Sequence, residues 1–462
     1  MTDTDYSPAI CALSPLDGRY HHKVEPLREI FSELGLIRYR LHVEVEWLIA
    51  LGSLEPVAEL NEFTPQTISH LRSLVNDFSV DEGHEVKAIE RKTNHDVKAL
   101  EYYMKDSLSD MPALAGSLEF IHFGCTSYDI NDNCFGLMLT DARNQVLVPA
   151  VENLISLISD MATSLADVPM LSRTHGQPAS PTTVGKELRV FAHRLEGQNR
   201  SFAEIPINGK LSGAVGNFNS LHAAYPEIDW PSVAREFVES LGLTYNPITT
   251  QTEAHDYIAE YSHCLHRINS ILLDLCRDIW GYISIGYFSQ KTIASEVGSS
   301  AMPHKVNPID FENAEGNLGI ANAIFDHLAD KLPVSRWQRD LSDSTVLRNL
   351  GVPIGHSLIA YQSIAAGLGK LTVNQSRISE DLDRSWEVLS EAVQTVLRKH
   401  GGELPYEKLK ELTRGVAISA AQIESFISEL DLPDEEKRRL SELTPADYRG
   451  IAEQLAKTTP SG

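Results

Sequence analysis

The sequence predicts an all-α protein organised around a bundle of long helices, and three observations carry that reading. Ile258, Tyr261, Leu265, Ile268, Leu272, Leu275 and Ile279 follow spacings of 3, 4, 3, 4, 3 and 4, a heptad seam that buries against other long helices at a shallow angle. A helical stretch from about residue 129 to 165 is too long for a small globule unless a bundle surrounds it. Capped helix starts with a first-turn proline recur at Thr64-Pro65 and Asn307-Pro308, whereas no strand, helix, strand unit surrounds Gly209, Gly213 and Gly216, which argues against a dinucleotide fold.

At 462 residues, and with a prior of roughly 150 residues per domain, the chain divides into about three domains, read as 1–116, 117–367 and 368–462. The 42% hydrophobic and 23% charged composition is that of a globular protein, and no window approaches the ~20 uninterrupted apolar residues of a membrane helix. The acidic, polar amino terminus lacks the features of a signal peptide, so a cytoplasmic location is the default expectation. Five cysteines without a Cys-x-x-Cys pair suggest neither a disulfide framework nor a zinc site. Forty basic against 64 acidic side chains give a net charge of -24, which argues against nucleic acid and anionic membranes as partners. An anionic small substrate stays open, because charges beyond a Debye length of ~8 Å are screened and a local basic cluster can dominate a cleft.

In chain order, Ser14 to Tyr20 is turn-rich and presents Arg19 and Tyr20. A helix is expected from about Pro26 to Leu51, stopped by Gly52, and a second one opens at Thr64-Pro65. Thr93-Asn94-His95-Asp96 breaks a third helical stretch with polar groups, where His95 is either a cap or a site residue. After a connection over 108–116, Cys125 to Asn131 supplies hydroxyls and amides that can cap a helix or bind ligand oxygens. The following long helix is expected to bend near Pro149. Leu171 to Pro178 then reads as a polar loop, with His175 either a surface histidine or an acid-base group. His263 and His266 lack a third ligand with recognisable spacing, so no metal is expected.

Gly298-Ser299-Ser300-Ala301-Met302-Pro303-His304-Lys305-Val306-Asn307-Pro308 reads as a closing loop, loose at its glycine end and stiffened by two prolines. Asn307 and Pro308 start a helix whose positive end faces that loop and favours a carboxylate or phosphate. Pro333 to Arg348 holds the local basic cluster: Arg339, Ser344 and Arg348 fall on roughly one side of a helical path and can surround a phosphate, with a solvated ion-pair face as the rival reading. Shorter helices follow from about Thr372.

These segments resemble the fumarase, aspartase and argininosuccinate lyase superfamily. The loop at 298–308 resembles the superfamily signature, and Thr93 to Lys98, Ser172 to Thr183, Thr249-Thr250-Gln251 and Lys331 to Asn349 resemble its adenylosuccinate lyase branch. The resemblance covers nearly the whole chain. It implies an all-helical, three-domain fold whose central helices assemble into a homotetrameric core, with active sites shared between subunits. It also implies a cofactor-free elimination of fumarate from adenylosuccinate to give AMP, and from succinylaminoimidazole carboxamide ribotide. Sister lyases acting on argininosuccinate, aspartate or malate, and a silent structural protein on the same scaffold, are the alternatives.

By position, the resemblance implies Ser299 as general base, His175 as general acid, and His95 and Lys305 as further catalytic candidates. Nucleotide and succinyl contacts would fall on Arg19, Tyr20, Asn94, His95, Asp96, Thr126, Ser127, Gln251, Lys305, Val306, Asn307, Asn313, Arg339, Ser344, Thr345 and Arg348. One departure is Tyr128, where close relatives tend to carry Glu; it bears on substrate preference and leaves the reaction class alone. The residue types suit the chemistry, because the elimination needs a base, a holder for the charge that builds on a carboxylate, and an acid for the departing amine.

Overall fold

The computed structural model describes residues 9–60, 63–111, 114, 116–291, 302, 305–401 and 418–458. Helices α1 (Glu25–Phe31) and α2 (Glu33–Gly52) are followed by α3 (Pro65–Asn76), α4 (Val80–Thr93) and α5 (Asp96–Leu108). Next come α6 (Ser127–Asp141), a π turn (Ala142–Leu147) and α7 (Val148–Ser164), then strands β1 (Pro169–Thr174) and β2 (Gln177–Thr183). Helix α8 (Val184–Ala203), β3 (Asn208–Gly209), α9 (Asn219–Ala224), α10 (Trp230–Ser240) and β4 (Thr244–Tyr245) lead to the 29-residue α11 (Asp256–Ser284). Beyond β5 (Phe288–Gln290) lie α12 (Ile309–Lys331), α13 (Ser342–Leu347), α14 (Gly351–Lys370), β6 (Leu371–Val373), α15 (Gln375–Asp383) and α16 (Ser390–Lys399). Short helices at Ala420–Ser428, Asp434–Ser441 and Ala452–Ala456 follow. Among the described residues the strands form only three two-stranded sheets, so the all-α expectation holds.

The chain separates into two compact units. The first comprises Met1–Ala150, Gln198–Asn269 and Gly316–Ala360. In it α2 packs on α6, and Leu41, Val45 and Leu48 of α2 and Ile130 and Cys134 of α6 are all at most 1% exposed. The second comprises Val151–Gly197, Ser270–Glu315 and Tyr361–Gly462. Its carboxy-terminal helices bury a core of their own, with Val393, Leu397, Ile423 and Ile427 at the centre.

All seven seam residues of α11 are at most 1% exposed, as the heptad spacing requires. Two other expectations need correction. The first helix breaks at Ser32, whose hydroxyl accepts the Gly35 N–H at 3.0 Å and caps α2. A π turn lies just before Pro149, where the bend is expected. Proline lacks the N–H that would bond four residues back, and a locally wider helix absorbs the mismatch. The polar loop at 171–178 is the middle of a hairpin whose Thr174 pairs with Gln177. Helix α12 begins at Ile309, just past the Asn307-Pro308 start signal.

By length and composition the run Ser127–Ser164 would suffice to cross a membrane, and only 28% of its most apolar window is buried. It also carries Asp129, Asn131, Asp132 and Asn133, all buried and polar, which a lipid-facing helix would not hold.

Candidate active site

In the first unit the Thr93 to Asp96 break is a helix junction. Asn94 closes α4 with φ 51°, and His95 caps α5 by accepting the Lys98 N–H on Nδ1 at 3.1 Å. That bond makes Nδ1 the lone-pair nitrogen, so a neutral His95 carries its proton on Nε2. Asp96 beside it is clamped by two arginines, with Oδ2 accepting from Arg40 and from Arg348, each at 2.7 Å, while Oδ1 takes the Val97 N–H. Burial pushes the Asp96 carboxyl up, but Arg40, the Val97 N–H and Arg348 outweigh it and hold it below the usual range. Arg348 also reaches Glu33 at 2.8 Å, and a cavity of about 330 Å³ opens beside it, lined by Asp17, Arg28 and Glu33 among others.

A second polar system runs through the base of α6. Thr126 precedes the helix, and the buried Asp129 carboxylate accepts its N–H at 2.8 Å together with those of Ser212 at 2.8 Å and Gly213 at 3.1 Å. The same carboxylate pairs at 2.8 Å with Lys210, both side chains being fully buried. The Lys210 ammonium also donates to the Gln251 carbonyl at 2.6 Å. Gln251 in turn donates from Nε2 to the Ala214 carbonyl and accepts from Arg339 Nη1 at 3.1 Å. The turn between these strands of chain needs glycine at 216, where φ is 83° and a Cβ would lie 2.0 Å from the Thr249 carbonyl oxygen.

Arg339 and Arg348 lie outside the two ends of the short α13, which carries Ser344 and Thr345, and are anchored differently: Arg339 on Gln251, Arg348 in ion pairs with Asp96 and Glu33. Arg19 is exposed, its guanidinium 5.8 Å from the Tyr20 ring centroid. Two further pairs lie in this unit: the half-buried His122 with Glu44 at 2.6 Å and the buried His255 with Asp132 at 3.0 Å.

In the second unit His175 sits at the apex of the β1–β2 hairpin. Both His175 (φ 54°) and Gly176 (φ 74°) are left-handed, the signature of a two-residue type I′ turn, and the imidazole is exposed. The hairpin is anchored by Arg173, which pairs with Asp381 of α15 at 2.9 Å. Lys305, Val306 and Asn307 approach the start of α12, with Lys305 and Val306 exposed; Asn313 on the helix accepts from Ser363 at 3.0 Å. Ser299 and most of its loop (292–301, 303 and 304) lie outside the described residues.

The sequence reading missed Arg40 and Lys210, and within Cys125 to Asn131 did not single out Asp129 or Asn131; all four hold other candidates in place. The signal available was the run Asp129-Ile130-Asn131-Asp132-Asn133, polar residues on every face of a helix expected to be buried. His266, weighed as a metal ligand, instead faces Asp326 at 2.6 Å. Among the described residues no group of three or more His, Cys, Asp and Glu is arranged to hold a metal ion.

Residues 18–325 match a family described as lyase, and residues 335–449 match the adenylosuccinate lyase carboxy-terminal family. The chain is 55% identical over 96% of its length to adenylosuccinate lyase of Escherichia coli (strain K12), covering 97% of that protein. It is 53% identical over 97% of its length to adenylosuccinate lyase of Vibrio cholerae, covering 98% of it. The fold is shared with two solved structures. A 3-carboxy-cis,cis-muconate lactonizing enzyme from Pseudomonas putida has TM-score 0.71 and 23% identity, over 93% of this chain and 94% of that one. A fumarate lyase from Mesorhizobium sp. BNC1 has TM-score 0.72 and 21% identity, over 94% and 96%. On this evidence of sequence and fold, the chain belongs to the adenylosuccinate lyase family.

Proposed function

We propose that the chain cleaves adenylosuccinate to fumarate and AMP, and succinylaminoimidazole carboxamide ribotide to fumarate and the free carboxamide ribotide, by general acid/base elimination. The observation that carries this is the 55% identity spanning 96% of the chain with a relative named for that activity. The match of residues 335–449 to the adenylosuccinate lyase carboxy-terminal family disfavours a sister lyase.

In this reading Ser299 removes the proton next to one succinyl carboxylate. The Lys305 charge and the amino terminus of α12 lower the hydroxyl's pKa and hold the doubled charge that develops on that carboxylate. His175 delivers a proton to the departing amine. His95 can share that task, since its Nε2 carries the proton in the neutral ring. Arg339, Ser344, Thr345 and Arg348, with Arg19 and Tyr20, hold the nucleotide phosphate and keep the reacting carbon in place. Asn94, Asp96, Thr126, Ser127, Gln251, Val306, Asn307 and Asn313 complete the contacts. Because Asp96 and Glu33 already engage Arg348, an arriving phosphate has to share or displace one of them.

The assembly we propose is a homotetramer with sites shared between subunits, in the cytoplasm. Support comes from the Ser127–Ser164 run, whose most apolar window is only 28% buried in one chain and gains cover from a second copy. Incubating the pure protein with adenylosuccinate is expected to yield fumarate and AMP in equal amounts, with AMP inhibiting competitively. A protein that leaves adenylosuccinate intact is not this enzyme.

A further inference from the structure

Tyr128 follows Ser127 in the first turn of α6 and is 2% exposed. The carbon at the centre of the Arg339 guanidinium lies 3.9 Å from the centroid of its ring, well within cation–π range for a desolvated pair. Arg339 also meets the Tyr128 hydroxyl, and at its rim Nη1 donates to Gln251 and Nη2 is 3.7 Å from Asp343. Its buried Nε has no hydrogen-bond partner among the described residues. Burial raises the Tyr128 hydroxyl's pKa, so the ring below the guanidinium is neutral. A guanidinium held over a ring face is fixed in position without a carboxylate having to take its N–H donors. A carboxylate at the same place would instead take those donors for itself.

We propose that Tyr128 is a positioning residue for the nucleotide phosphate: its ring holds the Arg339 guanidinium in place to receive the anion of a nucleoside monophosphate. This rests on the phosphate role given to Arg339 above. It makes the residue at 128 a determinant of affinity for the phosphorylated end of the substrate, and not of the chemical step.

The test uses the full-length protein and AMP and adenosine as probes, with binding followed by calorimetry. Tyr128→Leu is expected to weaken AMP roughly five- to thirtyfold, the range of a desolvated cation–π contact, and to leave adenosine binding as it was. KM for adenylosuccinate rises with it, while kcat stays within about twofold of the unmodified enzyme. Tyr128→Phe restores AMP affinity. Pentafluorophenylalanine at 128 keeps the shape and reverses the ring quadrupole, so it behaves like Leu without a packing defect. Tyr128→Leu combined with Arg339→Ala binds AMP no worse than Arg339→Ala alone. AMP binding unaltered by both Leu and pentafluorophenylalanine, or equal losses for AMP and adenosine, overturns the proposal. Failure of the unmodified protein to cleave adenylosuccinate overturns the functional reading, while the AMP comparison still decides the role of Tyr128.

Discussion

The two regions that carry the candidate residues are built in opposite ways. Around α6 the groups assigned to binding are locked into a buried polar frame, in which Lys210 and Asp129, both fully buried, tie the Thr126 turn to Gln251 and through it to Arg339. At the β1–β2 hairpin, His175 stands exposed on a two-residue turn, its strands anchored below by Arg173 to Asp381 and by Ser180 to Glu391. A binding group benefits from being held in its bound orientation before substrate arrives, because less rotamer freedom is lost on association. A proton-transfer group needs reach and, for its full effect, removal from water. The exposed hairpin apex supplies reach, and in the assembly we propose a second subunit would supply the removal from water.

The largest effects should separate these regions by kind. His175→Ala is expected to lower turnover roughly 10²–10⁴-fold with an unchanged denaturation midpoint and unchanged AMP affinity. Steady-state kinetics beside a thermal melt measure both, and a comparable loss of stability would show that the hairpin apex is structural. Lys210→Met should do the reverse. Leaving Asp129 buried without its partner costs about 3–5 kcal/mol, read from denaturant unfolding, and the loosened Gln251 weakens AMP as well. A neutral effect on stability would mean that the polar frame is not what orders this region.

The smallest expected effect concerns the loop before α6. Burial lowers the pKa of His122, but the Glu44 carboxylate at 2.6 Å more than compensates and raises it. A raised histidine stabilises most below its unfolded pKa of about 6.5 and loses that contribution as pH rises through the folded value. Stability should therefore decline on the alkaline side of about pH 6.5 and lose this slope in Glu44→Gln, as thermal melts across the range would reveal. A slope that persists in Glu44→Gln would assign it to another group.

Much of the fold was legible because it depends on local spacing. The heptad residues of α11 announce their burial through period alone, and Thr64-Pro65 and Thr93 to Asp96 mark helix ends through side chains that bond to nearby backbone. The hairpin was legible in principle, since His175-Gly176 has the left-handed tolerance a type I′ turn needs, but its polar composition reads equally as loop. The frame around Asp129 was not legible. Nothing near Lys210 in sequence indicates that its ammonium meets a carboxylate 81 positions away, because that pairing exists only once β3 and α6 pack together. The same holds for Arg40, whose partners Asn131 and Asp96 come from two other helices.

The central proposal is that the polar frame around Asp129 is built within one chain, whereas proton transfer is completed between subunits. Mixing Ser299→Ala with His175→Ala protein, each inactive alone, under conditions that let subunits exchange tests it most directly. Recovery of adenylosuccinate cleavage in the mixture, through sites that draw an intact Ser299 from one chain and an intact His175 from another, is the predicted result. A mixture no more active than the sum of its parts, despite demonstrated exchange, would contradict it.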